Sequence, residues 1–508
     1  MQLLNDNAQD ARQHLGLLVS QSKDTLAADK AVDDYYRKGG EWRWVVTDTT
    51  VLLHQADTIA AFLSHQARVM GFGSDVFFSS QVRQGIDHFR RLDFDSTGVS
   101  VSEAMASIEL GLSKGIMRYA RGQRYGFTNP EIIINPKEGR RVYDIDNERP
   151  DNSFLSQVFG HDDDMLDYLA SLEPKGDYYD GLKERLASDT TRAESRKRII
   201  CNMERCRWRH KKQPEKGQPH VFVNIPAQQL WAIGPDSTFS MRICCGAWAT
   251  KTPLLISAIN RVELNPEWKI PFNIVRDEVS RHAGDSAYFA RHNYYIMKGG
   301  SRVNAKNLTP EQMRAGGYRV AQRSGAGNSL GRIIFRFPNQ FDVYLHDTNN
   351  RSAFNADRRT VSHGCVRVQR PFDLLMFVLP DASEKLLDEI RISIDMKPES
   401  EWGQNYMKER EQAKTERLAA EKAAAEKAAE AGSDDDGNEK SEVDVKLPPS
   451  PDKLYPTRLR SSVEADRVPV VIDYYTIYPN PETGKWETWR DRYEYDDIIY
   501  NNIKPFLP

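Results

Sequence analysis

Between positions 343 and 368 the chain sets down a thiol, two imidazoles and a guanidinium, in the segments Val343-Tyr344-Leu345-His346-Asp347-Thr348 and Val361-Ser362-His363-Gly364-Cys365-Val366-Arg367-Val368. A thiol with a pKa near ~8.5 is mostly protonated at neutral pH and is a poor nucleophile until a base takes its proton. An imidazole is the usual base, so Cys365 with His346 or His363 reads as a nucleophile and its partner. Gly364 permits a tight turn and a close approach of a substrate backbone. Amides of Gly364 and Cys365 at such a turn can hold a developing oxyanion. His346 ends a strand-like run, and fifteen residues then lead to Ser362, a loop long enough to bring the strand end to the Cys turn.

Each residue also has a plainer reading. A lone Cys is more often a buried structural thiol, and a lone His a hydrogen-bonded one. The joint arrangement weakens both. A zinc site from His346, His363 and Cys365 lacks a fourth ligand and the usual spacing, so no metal and no cofactor is expected. Five cysteines are no disulfide framework. Cys201 and Cys206 lie about 500° apart on a helix and read as packing. Cys244 and Cys245 sit in a strand pattern, where neighbours alternate faces and one should meet the core. Trp208, Trp231 and Trp248 read as core.

The elements that must position these groups fall into two kinds. Residues 33–129 and 152–212 are mostly helical in pattern. Apolar residues recur on one face across 50–70, and 101–120 repeats the pattern behind Ser100 and Ser102 as polar caps. Near His220 the period changes. Residues 221–225, 230–233, 239–244, 333–337 and 341–345 read as strands, and 271–323, with a helical piece at 274–282, as an insertion among them. Residues 408–431 are nearly all Glu, Lys, Arg, Gln and Ala, which suits a solvated helix, and an acidic linker follows. Strand patterns return at 468–478 and 486–495, with 480–484 as a hairpin turn.

The spacing from His346 to Ser362-His363-Gly364-Cys365-Val366-Arg367 resembles the signature of the YkuD-type L,D-transpeptidase catalytic domain. That pattern is His, a loop of similar length, Ser or Thr, His-Gly-Cys, a hydrophobic residue, then Asn or Arg. Residues 331–339 leading into 344–348, with 264–271, 202–208 and 469–478, resemble the large YcbB-like branch. The resemblance implies an α+β fold, an α-helical scaffold domain followed by a β-rich L,D-transpeptidase catalytic domain with an inserted capping subdomain. The expected divisions are an N-terminal segment (1–32), the scaffold (33–217), the catalytic domain (218–400, cap 265–325), a charged spacer (401–454) and C-terminal strands completing the catalytic domain (455–508). There is no equivalent, between positions 189 and 198, of the peptidoglycan-binding module that many members carry.

The implied activity is peptidoglycan crosslinking. Cys365 would attack a tetrapeptide stem at its third residue, release D-alanine, and pass the acyl group to the amine of a second stem as a 3→3 crosslink. With water as acceptor the same site is an L,D-carboxypeptidase. The resemblance makes His346 the base, because relatives often have Ser where His363 stands, and leaves His363 in support. It offers the Asp347 carbonyl as an orienter of the imidazole, Tyr344 with the Gly364 and Cys365 amides for the oxyanion, and Arg367 for a substrate carboxylate. Ser362, Asp347 and Trp268 complete the substrate-binding candidates, with Asn265 and Tyr294 as groove residues. The implied partners are stem peptides, carbapenem-type β-lactams as acylating inhibitors, and envelope proteins on the helical domain. A net charge of −3 gives no general pull toward nucleic acid. No run approaches the ~18 apolar residues of a membrane span. The implied location is the periplasm or cell envelope, with a signal or anchor expected upstream. A non-catalytic peptidoglycan-binding scaffold is the competing reading, and it predicts loss of the Cys or His that are present.

Overall fold

A computed structural model describes residues 2–45, 49–161, 164–188, 193–431, 447–450, 452 and 462–508. The acidic linker expected after the charged helix falls largely outside these residues.

The helical region is built around one long helix, Val101–Tyr125, buried on most of its surface by its neighbours. Ser100 caps it in a reciprocal capping box with Glu103. Ser102 lies inside the helix instead, buried, with its hydroxyl on Asn7. The apolar stripe of the helix Thr49–Val69 turns Ala56, Ile59, Ala60, Leu63 and Ala67 inward, as its spacing requires. The first helix, Gln2–Gln21, is part of the same body, burying Ala11, Leu15 and Val19. Lys114 ties residues 24 and 33 to the central helix through Asp24 at 2.6 Å and Asp33 at 2.7 Å.

The strands, in chain order, are β1 (Tyr143–Asp144), β2 (His220–Asn224), β3 (Gln229–Ile233), β4 (Thr238–Gly246), β5 (Leu254–Leu264), β6 (Trp268–Lys269), β7 (Tyr294–Lys298), β8 (Ser301–Val303), β9 (Arg319–Gln322), β10 (Ile333–Arg336), β11 (Leu345–His346), β12 (Thr360–Ser362), β13 (Val366–Val368), β14 (Ser462–Asp473), β15 (Ile477–Pro479) and β16 (Trp486–Thr488). The main sheet runs β1-β5-β10-β11-β13-β4-β3-β2-β14, and β14 also pairs with β5. The sheet therefore closes on itself, with β14 between β2 and β5.

Two strand expectations change. The long strand β5 has no clear strand pattern in the sequence because Ser257, Asn260, Arg261 and Glu263 break its apolar run. The expected strand at 341–345 shrinks to β11. Asp342 has φ +53, and the Asn339 side chain bonds the main chain of Phe337, Phe341 and Val343, holding a loop where a strand would run.

The insertion between β5 and β10 carries its own four-stranded sheet, β6-β9-β7-β8, and its own core of Ile274, Val275, Phe289, Ile296, Met313 and Val320. Its expected helix breaks at Glu278 into Phe272–Asp277 and the 3-10 turn Val279–His282. The charged helix runs Glu401–Ala431. At the C-terminus the hairpin β15–β16 forms around the expected turn, but the strand pattern stops at Thr488 and the chain ends in the helix Tyr495–Ile503. That helix packs on the helix Ala193–Arg207, with Asp496 paired to Arg205 at 2.6 Å, and Phe506 stacks on Phe72 in the helical region. The last residues thus serve both regions, beyond completing the sheet.

Candidate active site

The site is set by one register. β11 and β13 run parallel, Leu345 beside Val366 and His346 beside Arg367. The amide of Val366 donates to the Tyr344 carbonyl, so Cys365 falls beside Tyr344. Side chains two apart on a strand share a face. Tyr344 and His346 therefore stand on the same side as Cys365 and Arg367, and the rings of Tyr344 and His346 are 5.7 Å apart.

The turn before Cys365 is braced from within. The Ser362 hydroxyl donates to the Cys365 carbonyl and accepts from the Gly364 amide. The Ser362 carbonyl accepts from the Ala247 amide and the Thr250 hydroxyl, and the Gly364 carbonyl from Thr252. Gly364 has φ +120, which a side chain would strain. Two assignments change as a result. Ser362 is buried and its hydroxyl is engaged in the turn, so it shapes the site without facing a substrate. The Gly364 amide is occupied as well, while the Cys365 amide makes no hydrogen bond among the described residues.

The thiol donates to the Asp342 carbonyl at 3.8 Å. Burial pushes its pKa up, while the Tyr344 main-chain amide and the charges of Arg140 and Arg336 pull it back. His346 is buried, with the main chains of Asp347 and Leu330 against its ring. Burial, with Arg367 adding to it, pushes the imidazole down to about 3, against the pull of the Asp347 and Leu330 main chains. Both groups are thus neutral at rest, a thiol and an unprotonated base on one face of the sheet. Burial also raises the Tyr344 phenol, which stays a hydrogen-bond donor. Arg367 makes no ion pair among the described residues, and its Nε is buried without a partner.

The remaining candidates stand apart from the thiol. His363 is exposed and bonds Glu278 of the capping insertion at 2.6 Å. It bridges cap and turn, and is not directed at Cys365 as a base. With it turned away, the three groups considered for zinc do not converge. No cluster of three His, Cys, Asp or Glu suited to a metal occurs among the described residues. The Asp347 carboxylate is engaged by the Arg332 amide and by Arg351. Gly331 lies so close that a Cβ there would meet it at 2.4 Å. Asp347 is therefore structural through its side chain. Asn265 is buried between Ser393 and Arg332 at the root of the insertion, away from any groove. Trp268 and Tyr294 pack against the insertion's core.

Trp208 and Trp231 are core residues, but Trp248 is 48% exposed on a 3-10 turn, with the Lys251 ammonium over its ring at 4.1 Å. Cys244 and Cys245 are both buried and free, because this part of the sheet is covered on both faces.

A cleft of about 390 Å³ opens beside Tyr344, lined also by Asp342, Val343, Asn260, Arg261 and Arg336. A larger cavity, about 920 Å³, lies under the first helix and holds none of these groups, so size does not mark the site. No helix among the described residues is long and apolar enough to cross a membrane.

Residues 218–386 match the model of the L,D-transpeptidase catalytic domain, and residues 30–186 that of a scaffold domain. A Haemophilus influenzae protein whose name assigns it provisionally to the L,D-transpeptidases is 32% identical over 166 residues, 32% of this chain. The match spans about a third (34%) of that protein's length. With a helical body before a closed sheet that carries His346 and Cys365 on one face, the chain joins a scaffold domain to a YkuD L,D-transpeptidase catalytic domain.

Proposed function

We propose that the protein forms 3→3 crosslinks between peptidoglycan stems through a thioester on Cys365. The observation that carries this reading is the β11–β13 register, which supports a nucleophile, a base and an oxyanion donor on one face. The donor tetrapeptide enters with the carbonyl of its third residue over the sulfur. His346 takes the thiol proton as sulfur attacks, and the neutral resting pair avoids separating charge in a buried site before substrate arrives. The Cys365 amide and Tyr344 hold the oxyanion. As the tetrahedral species collapses, His346 returns the proton to the departing amine and D-alanine leaves. The amine of a second stem then attacks the thioester, its proton passes to His346, and the thiolate leaves and is reprotonated. Arg367 lies on the His346 side and has no carboxylate of its own, which suits the carboxylate of the leaving D-alanine. This chemistry belongs outside the cytoplasmic membrane, so the envelope is the proposed location.

The test is intact mass after incubation with a carbapenem, beside Cys365→Ala, followed by product analysis on tetrapeptide stems. A one-drug adduct on the wild type alone, with D-alanine release and crosslinked dimers, is expected. Trimmed stems without dimers would assign hydrolysis instead. No adduct on folded protein would overturn the reading.

A further inference from the structure

Most of the groups around Cys365 come from the catalytic sheet. Arg140 does not. It lies within the residues that match the scaffold domain, 201 positions before Phe341. Its route to the site is nonetheless built. β1 adds to the edge of β5 in parallel, Tyr143 beside Leu254, and the Leu254 amide donates to the Val142 carbonyl. The Asn135 side chain closes the preceding loop, accepting from the amides of Val142 and Tyr143 and donating to the Tyr143 carbonyl. Arg140 stands on this pinned loop.

From there it reaches both sides of the nucleophile. Its Nη2 donates to the Phe341 carbonyl at 2.8 Å, and the guanidinium lies 5.8 Å from the Phe341 ring centre. The next residue, Asp342, has φ +53, and its carbonyl receives the Cys365 thiol. On the other side, a Cβ on Gly364 would lie 3.5 Å from Arg140 Nη1. The guanidinium is thus set between the loop whose carbonyl accepts the thiol's hydrogen bond and the turn that presents the sulfur.

We propose that Arg140 is a positioning residue for Cys365, supplied by the helical region: it holds the Phe341 and Asp342 main chain against the thiol and lays a fixed positive charge beside the sulfur. The helical region is then part of the acylation machinery as well as a platform. Other charged or titratable groups act on the same thiol. Arg336 carries Glu263 as its partner, and Tyr344, His346 and Arg367 share the face. Arg140 is the one among them that comes from the residues matching the scaffold domain. The proposal rests on Cys365 being the nucleophile, but its test does not need turnover.

The experiment follows the pH dependence of Cys365 alkylation by iodoacetamide, with carbapenem acylation rates alongside, in full-length wild type, Arg140→Met, Arg140→Lys and Arg141→Met. Arg141 is exposed and paired to Glu131, and serves as the neighbouring control. Arg140→Met should move the alkylation midpoint up by about half a pH unit, an effect that shrinks with added salt. Acylation should slow about tenfold, the scale of one lost charge-assisted hydrogen bond at about 1.4 kcal/mol. Arg140→Lys should recover most of the midpoint, because the charge returns, and less of the rate, because the fork does not. Arg141→Met should match wild type in both. An unmoved midpoint in Arg140→Met, or losses that track a lower Tm and return equally in the lysine variant, would overturn the proposal. If Cys365 is alkylated with this dependence yet takes no carbapenem, Arg140 stands and the catalytic reading fails.

Discussion

Two buried polar clusters in this molecule follow opposite rules. In the helical region Glu204 accepts from the Thr128 amide and hydroxyl and pairs with Arg207. Arg207 reaches on to Gln123 and Tyr179. Every partner is internal. Around Cys365 the opposite holds. Arg367 Nε is buried with no partner, and the Cys365 amide is unbonded among the described residues. Leaving buried polar groups without partners costs stability, and native structures do it rarely. The first cluster is a fastening. The second keeps its capacity for a ligand.

Mutation should separate the two, and the largest effect belongs to the fastening. Glu204→Ala leaves Arg207 buried without its carboxylate and should lose about 3–5 kcal/mol in denaturant unfolding. A loss under 1 kcal/mol would erase the contrast. His346→Gln should slow carbapenem acylation by about 10²–10⁴-fold, the range for a lost general base, while stability holds or rises. A stability loss matching that of Glu204→Ala would place His346 among the fastenings.

The contrast sharpens with pH. The imidazole is neutral above about 3, so acylation should show no falling limb through the ordinary histidine range near 6.5. Stability should behave differently. The unfolded chain takes up this proton near 6.5 and the native one near 3, so the contribution is complete above pH 6.5 and shrinks as pH falls toward 3. His346→Gln should flatten that part of the stability curve, and an unchanged curve would contradict the assignment. The smallest effect concerns the link between cap and turn. Glu278→Gln breaks a half-exposed pair with His363 and should change stability by no more than about 0.5 kcal/mol. It should speed hydrogen exchange in the insertion, and unchanged exchange would remove His363 as a bridge.

What the sequence made legible follows how local each signal is. Cys365, His346 and their spacing sit within one short segment, and the helical stripes and the hairpin turn at 480–484 are likewise local patterns. The misreadings come from long-range pairing. β5 carries polar residues that its neighbours tolerate, so its period is blurred until β10 and β14 are in place. Trp248 reads as core by residue type, though its turn lifts it into solvent. Ser362 and Asp347 stand close to the nucleophile or base in sequence, yet their side chains are engaged elsewhere. Arg140 left no mark in the motif at all, because what brings it to Phe341 is a strand pairing between distant segments.

The closure of the sheet by β14 has a consequence for how the molecule is made. β2 and β5 are translated more than two hundred residues before the strand that seals both of them. Until that strand emerges from the ribosome, two edges of the nascent sheet stay open, and open edges invite pairing with other chains. The charged helix Glu401–Ala431 is synthesised in that interval and lengthens the delay. A chain cut short between residues 368 and 462 would carry the whole Cys–His motif and still lack the strand that closes its frame. Reactivity of the thiol should therefore appear late in synthesis, as a property of the finished chain.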